Sequence, residues 1–221
     1  MNQETSTSGG QGEPIRNRVV WAILLVVLLG ITAAFAVKSF REVQREISKP
    51  LPVLGQLPEF ELTERSGKPF GSRDLKGKAW VADFVFTSCA GPCPEMSAKM
   101  AKLQETFAGT SGLKCVSFSV DPEHDTPEVL REYAGRFHAN EGQWFFLTGK
   151  TDAIYKLARE SFKVSVERGD KGQTDPGNAI MHSVYFMLVD GRGRIRGYYN
   201  STDPEAGNRL LREAPALLRE K

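Results

Sequence analysis

The chain has 221 residues, 40% of them hydrophobic and 25% charged, enough for one substantial domain with accessory segments. Its 29 Lys and Arg nearly balance 27 Asp and Glu, and no basic stripe with interleaved aromatics occurs, which argues against nucleic acid as a partner. Three cysteines, Cys89, Cys93 and Cys115, are too few and too unevenly spaced for a small disulfide-stapled scaffold, so each is read by itself.

In chain order, residues 1–18 open Ser-, Gly-, Gln- and Glu-rich and predict a disordered tail. Residues 19–37, "VVWAILLVVLLGITAAFAV", form an uncharged run of membrane-crossing length between Arg16 and Arg18 on one side and Lys38 and Arg41 on the other, which predicts a single transmembrane anchor. Ala34-Phe35-Ala36 has the look of a signal cleavage site. The apolar run nevertheless exceeds the roughly 7 to 15 residues of a cleaved signal, so an uncleaved anchor is expected. Flanking charge does not fix orientation, because long domains translocate largely regardless of it. Residues 38–56 read as a polar linker stiffened by prolines, and residues 57–221 as the globular domain.

Within that domain "EFELTERSGKPFG" alternates around Ser66-Gly67 and predicts a hairpin. "AWVADFVF", Ala79 to Phe86, is nearly continuously apolar and predicts a strand buried on both faces. From Pro94, Met96, Met100, Leu103 and Phe107 fall at helical spacing. "LKCVSFSV" predicts the next strand, and "DPEHDTPEVLREYAGRF" a loop, an N-cap at Asp125 or Thr126 and a helix, so a βαβ unit with a parallel strand pair follows. "GQWFFLTG" predicts a strand, "DAIYKLARESF" a helix, and "HSVYFMLVDGRGRIRGYYN" two strands about an Asp190-Gly191 turn. A last helix from Pro204 carries Pro215, expected to kink or restart it. The order β-β-α-β-α-β-α-β-β-α is that of an α/β, thioredoxin-like fold: a central mixed sheet flanked by helices, with an N-terminal hairpin and insertions.

The chemistry centres on "FVFTSCAGPCPEM", Phe84 to Met96, where a strand hands over to a helix. Thiols at a helix start lie near free backbone N–H groups and the positive end of the dipole, which favours thiolate, both nucleophile and metal ligand. Three residues separate Cys89 from Cys93, a loop that can close a disulfide or hold both sulfurs on an ion. Spacing alone leaves a static disulfide, a redox couple and a metal clamp open. A soft thiolate pair selects Cu(I) or Zn and wants a further ligand. His124 and His138 lie in polar surroundings and read as surface residues, whereas His182 precedes the apolar strand "SVYFMLV" and reads equally as a ligand or as a partly buried histidine. Met96 and Met100 read as core, and Cys115 as a small buried residue whose distance from the pair decides whether disulfide shuffling is open to it.

Three motifs in this order behind an N-terminal anchor, "FVFTSCAGPCP", "SFSVDPEHDTPEVL" and "HSVYFMLVDGRGRIRGYY", resemble the SCO/SenC family of membrane-tethered, thioredoxin-like copper proteins from about Leu57 to Leu218. The resemblance implies one copper ion, Cu(I) or Cu(II), per domain, held by Cys89, Cys93 and His182. It implies a reversible Cys89–Cys93 disulfide in the metal-free oxidised form. It implies delivery of copper to the binuclear centre of cytochrome c oxidase subunit II or to another apo cuproprotein, a thioredoxin-like reductant as a second partner, and a bacterial inner membrane setting with the domain on the periplasmic side. Many members carry Pro where this chain has Ala90, and some an acidic residue where it has Met181; neither change removes a ligand.

On that reading the chain is a metallochaperone and not an enzyme. The alternative is a membrane-tethered thiol-disulfide oxidoreductase in which Cys89 attacks, Cys93 resolves and His182 is expendable. A thiol peroxidase fits poorly, since Thr87 lies only two residues before Cys89 and Asp83 stands where its Pro belongs.

Overall fold

The computed structural model describes residues 13–47, 50–109, 112–165, 167–168, 180–181 and 184–219. Contacts divide the chain into two units, with the boundary between Lys49 and Pro50.

The first unit is one helix, α1 (Glu13–Ile47), inside which the 24 residues Val19–Glu42 are long and apolar enough to cross a membrane. Its one hydroxyl in mid-span, on Thr32, bonds back to the Leu28 and Leu29 carbonyls, 3.0 Å each, so it needs no water. The helix outruns the expected 19–37 at both ends. Pro14 suits a first turn, and residues 38–47 contain no Pro or Gly while Lys, Arg, Glu and Gln are good helix formers, so the expected linker is helical to Ile47.

The second unit is built on an eight-stranded sheet in the order β1-β10-β9-β4-β5-β6-β2-β3. Its strands are β1 (Gly55–Gln56), β2 (Glu61–Glu64), β3 (Pro69–Gly71), β4 (Trp80–Val85), β5 (Lys114–Ser119), β6 (Trp144–Thr148), β9 (Tyr185–Val189) and β10 (Arg194–Asn200). A separate two-stranded pair joins β7 (Glu167–Arg168) to β8 (Ile180–Met181). β4, β5 and β6 run parallel, and β9 pairs antiparallel with β4, so the sheet is mixed. Every residue of β4 is buried, as its apolar run requires of a central strand.

Helices α2 (Pro92–Thr106), α3 (Pro127–Arg136) and α5 (Pro204–Arg219) put Met96, Met100, Leu130, Leu210 and Leu217 against Val81, Phe146 and Leu188 of one sheet face. On the other face α4 (Thr151–Lys156) and the π-turn Leu157–Ser161 bring Ile154 and Leu157 onto Phe84, Phe118 and Met187. α5 passes through Pro215 as one helix, where a kink or restart was expected. Ordered structure begins before Leu57: β1 pairs with β10, and buried Arg196 donates to the Leu51 and Pro52 carbonyls while meeting Asp190 at 2.8 Å.

Candidate metal and thiol site

The strand order brings three chain segments to one end of the sheet. β4 and β5 run parallel, so the loops leaving both, 86–91 and 120–126, emerge together; β9 runs antiparallel to β4, so it begins at that same end. α2 begins two residues earlier than expected, with Gly91 as N-cap and Pro92 in the first turn. Cys93 therefore lies inside the helix and Cys89 just before it. The Cys89 N–H donates to the Phe86 carbonyl at 3.3 Å, and the Gly91 N–H donates to Cys89 Sγ at 3.3 Å. Both cysteines are free thiols and both are buried, Cys93 completely, and Cys89 lies near enough to act on the Cys93 thiol.

Burial pushes the Cys93 thiol well above its ordinary range; a backbone hydrogen bond from Phe86 opposes the shift, while Cys89 and the Asp83 carboxyl add to it. For this cysteine burial works against the expected thiolate. Desolvation of a fully covered sulfur disfavours its charged form, opposing what the helix start favours.

Of the two expected N-cap residues, Asp125 and Thr126, the second is the cap and the first does something else. The cap of α3 is Thr126, whose Oγ1 accepts from the Val129 N–H at 3.4 Å. Asp125 is fully buried and turns its carboxylate to the cysteine loop, accepting from Thr87 Oγ1 at 2.5 Å, from the Thr87 N–H at 3.3 Å and from Ser119 Oγ at 2.5 Å. The Ser119 hydroxyl oxygen in turn accepts the Asp121 N–H at 3.1 Å.

Beneath the pair, Asp83 is fully buried, and among the described residues neither carboxyl oxygen has a hydrogen-bond partner. Burial lifts its pKa to about 7, with the Ser117 hydroxyl on the adjacent strand opposing the rise. That hydroxyl oxygen accepts the Trp144 indole N–H at 2.9 Å. Nearby, Ser97 of α2 and Tyr133 of α3 share a buried hydrogen bond of 3.0 Å. The sequence signal for Asp83 is the one acid inside the nearly continuously apolar "WVADFV".

The remaining candidates separate clearly. Met96, Met100 and Cys115 are core. Cys115 pairs with Val81, at the far end of β4 from the cysteine loop; Val81 to Val85 alone is about 13 Å of strand, so no thiol exchange reaches it in the folded state. His124 is a surface residue on Asp121 at 2.8 Å, and that carboxylate raises its pKa. His138 is exposed at the end of α3. His182 lies outside the described residues. Its described neighbour in sequence, Val184, leads into Tyr185 at the start of β9, on the cysteine side of the sheet. Among the described residues no three His, Cys, Asp or Glu side chains are grouped closely enough to hold a metal ion.

A family profile described as SCO1/SenC matches residues 55–213, which carry the cysteine loop, the Asp125 loop and β9. The chain belongs to the SCO1/SenC family. Among relatives of this SCO1/SenC protein, the SCO1 protein homolog of Bacillus subtilis is 34% identical over 154 residues, covering 69% of this chain and 77% of its own. The structure in which a disulfide switch was identified in BsSco, a member of the Sco family of cytochrome c oxidase assembly proteins, is similar with a TM-score of 0.67 and 30% identity, covering 78% of this chain and 99% of that one. Bradyrhizobium japonicum ScoI with copper bound gives a TM-score of 0.57 and 26% identity over 72% of this chain and 99% of its own. The SCO1/SenC fold is thus the thioredoxin-like mixed sheet expected from the order of elements.

Proposed function

We propose that this SCO1/SenC protein is a membrane-anchored copper chaperone that binds one copper ion through Cys89, Cys93 and His182 and passes it to the copper centre of cytochrome c oxidase subunit II. The observation that carries the reading is the pair of free, neighbouring thiols at the open end of the sheet. Two sulfurs form a soft donor set suited to Cu(I), which takes thiolate in preference to oxygen ligands. His182, two residues before Val184, is the third ligand on this reading. The copper-bound ScoI neighbour supports the cargo, and the role of BsSco's family in cytochrome c oxidase assembly supports a place in that assembly.

Copper is cargo, so the protein must hold it firmly and release it on contact. The Gly91 N–H on Cys89 Sγ offers one fixed hydrogen bond to a bound sulfur, and the first turn of α2 holds Cys93. Cys89 sits at the more exposed edge of the pair, where an acceptor's ligand can displace it first. α1 would tether the domain, on this reading from a bacterial inner membrane into the oxidising periplasmic side, where a thioredoxin-like reductant must return the pair to thiols.

The test is Cu(I) titration of the reduced full-length chain in detergent with a competing chelator. One equivalent is expected to bind, and Cys89→Ser, Cys93→Ser or His182→Ala each to lower affinity by at least 100-fold. Unchanged binding in any of the three removes that residue from the site.

A second reading keeps the same pair and is favoured by its proximity as free thiols together with the disulfide switch of BsSco. Under it the pair reduces cuproprotein disulfides, and His182→Ala leaves turnover intact while abolishing copper binding.

A further inference from the structure

We propose that Asp125 is the positioning residue of the cysteine loop, fixing the two sulfurs through Thr87 so that they can share one ion or close one disulfide. The inference deepens the reading of Cys89 and Cys93 as the working thiols and shares its fate only for copper.

The geometry is that of a tie between two loops. Only Phe86, Thr87 and Ser88 separate the last residue of β4 from Cys89, and the turn they make is held at two points. The Cys89 N–H closes it onto the Phe86 carbonyl, and Thr87 is gripped by Asp125 through both its N–H and its hydroxyl. Asp125 is itself fixed by Ser119 at the end of β5. The cysteine loop is thereby referenced to the parallel strand beside it, not merely to its own ends. A carboxylate suits this task because it only accepts, and three donors converge on it; an amide would place a donor where an acceptor is needed. Burying such a group is costly, and for helix capping it is not required, since Thr126 already caps α3. Thr87 and Asp125 thus give the sequence "DPEHDTP" a role at the site although none of its side chains is among the proposed ligands.

The experiment uses the full-length chain in detergent with Asp125→Asn, Thr87→Val, Thr87→Ser, the Asp125→Asn/Thr87→Val double variant, and Arg196→Met as a remote buried control. Three quantities are read: Cu(I) affinity by chelator competition, the Cys89–Cys93 reduction potential in metal-free thiol buffers, and the unfolding midpoint. Asp125→Asn is expected to cost about 10- to 100-fold in Cu(I) affinity, the scale on which groups that orient ligands act. It is also expected to make the disulfide easier to reduce by about tenfold in equilibrium constant, about 30 mV less negative. Thr87→Val should follow in the same direction, the double variant should be no worse than Asp125→Asn alone, and Thr87→Ser, which keeps both donors, should match the wild type. Arg196→Met should lower the midpoint and leave the other two readouts in place.

If Asp125→Asn behaves like Arg196→Met, losing stability with affinity and potential unchanged, the proposal is overturned. Should Asp125→Asn fail to fold, unchanged affinity and potential in Thr87→Val overturn it equally. If the wild type binds no Cu(I), the chaperone reading fails while the metal-free potential still decides the role of Asp125.

Discussion

Asp83 shows how one residue can set the pH response of a whole domain. Its carboxyl has a pKa of about 7 in the fold against 3.8 for the free group, so the native state holds its proton more tightly than the unfolded chain. Stability from this group is therefore full below about pH 4, falls as pH rises through the window to about 7, and levels off above it. The upper figure for the loss is roughly 4 kcal/mol, from about three pH units at 1.36 kcal/mol each. Asp83→Asn removes this titration, so urea unfolding at pH 5 and pH 8 should show the wild type losing clearly more stability between the two than the variant, whose remaining slope comes from groups such as His124 with its raised pKa; equal pH slopes would reject this assignment. At this scale the sequence was legible where a residue's role follows from its neighbours along the chain. Cys89 and Cys93 at a strand-to-helix junction, Met96 and Met100 on a helical stripe and His124 in a polar loop were of that kind. What it hid was set by neighbours across the sheet. The burial that raises the Cys93 thiol and the grip of Asp125 on Thr87 depend on residues distant along the chain, and no local spacing reports them.

Among the elements, α3 is instructive because both of its ends follow recognisable chemistry: its start and its end near Phe137 are legible in the sequence, and the closure at that end is not. Thr126-Pro127 announced the start. At the other end the Ala139 N–H bonds to the Ala134 carbonyl and the His138 N–H to the Gly135 carbonyl, with His138 at φ 51°, a Schellman closure with a histidine where glycine is usual. A left-handed conformation costs an L residue about 1 to 2 kcal/mol, so His138→Gly should stabilise the protein by about 0.5 to 1 kcal/mol once the entropy of the unfolded glycine is counted. Thermal unfolding measures it, and Cu(I) affinity should not move. The two-residue strands β1, β7 and β8 were beyond sequence reading, since two residues carry no periodicity, and α1 outran its apolar core because charged residues continue a helix as readily as apolar ones.

At the scale of the molecule the fold was legible because its central strands are apolar and its crossover helices amphipathic, so β4-α2-β5-α3-β6 could be placed in order from pattern alone. The division after Lys49 carries its own expectation. The full chain should stay with membranes through alkaline carbonate washing, while residues 50–221 should be recovered in the supernatant with an unfolding midpoint within about 2 °C of the parent; a large drop would mean that α1 contributes to the domain's stability. Cys115 offers a further use for its place deep in β5. In a Cys89→Ser/Cys93→Ser background it is the sole thiol of the chain, shut away from reagents until the sheet opens. Its alkylation rate is then a clock for global opening, readable by mass in a native membrane without heat or denaturant.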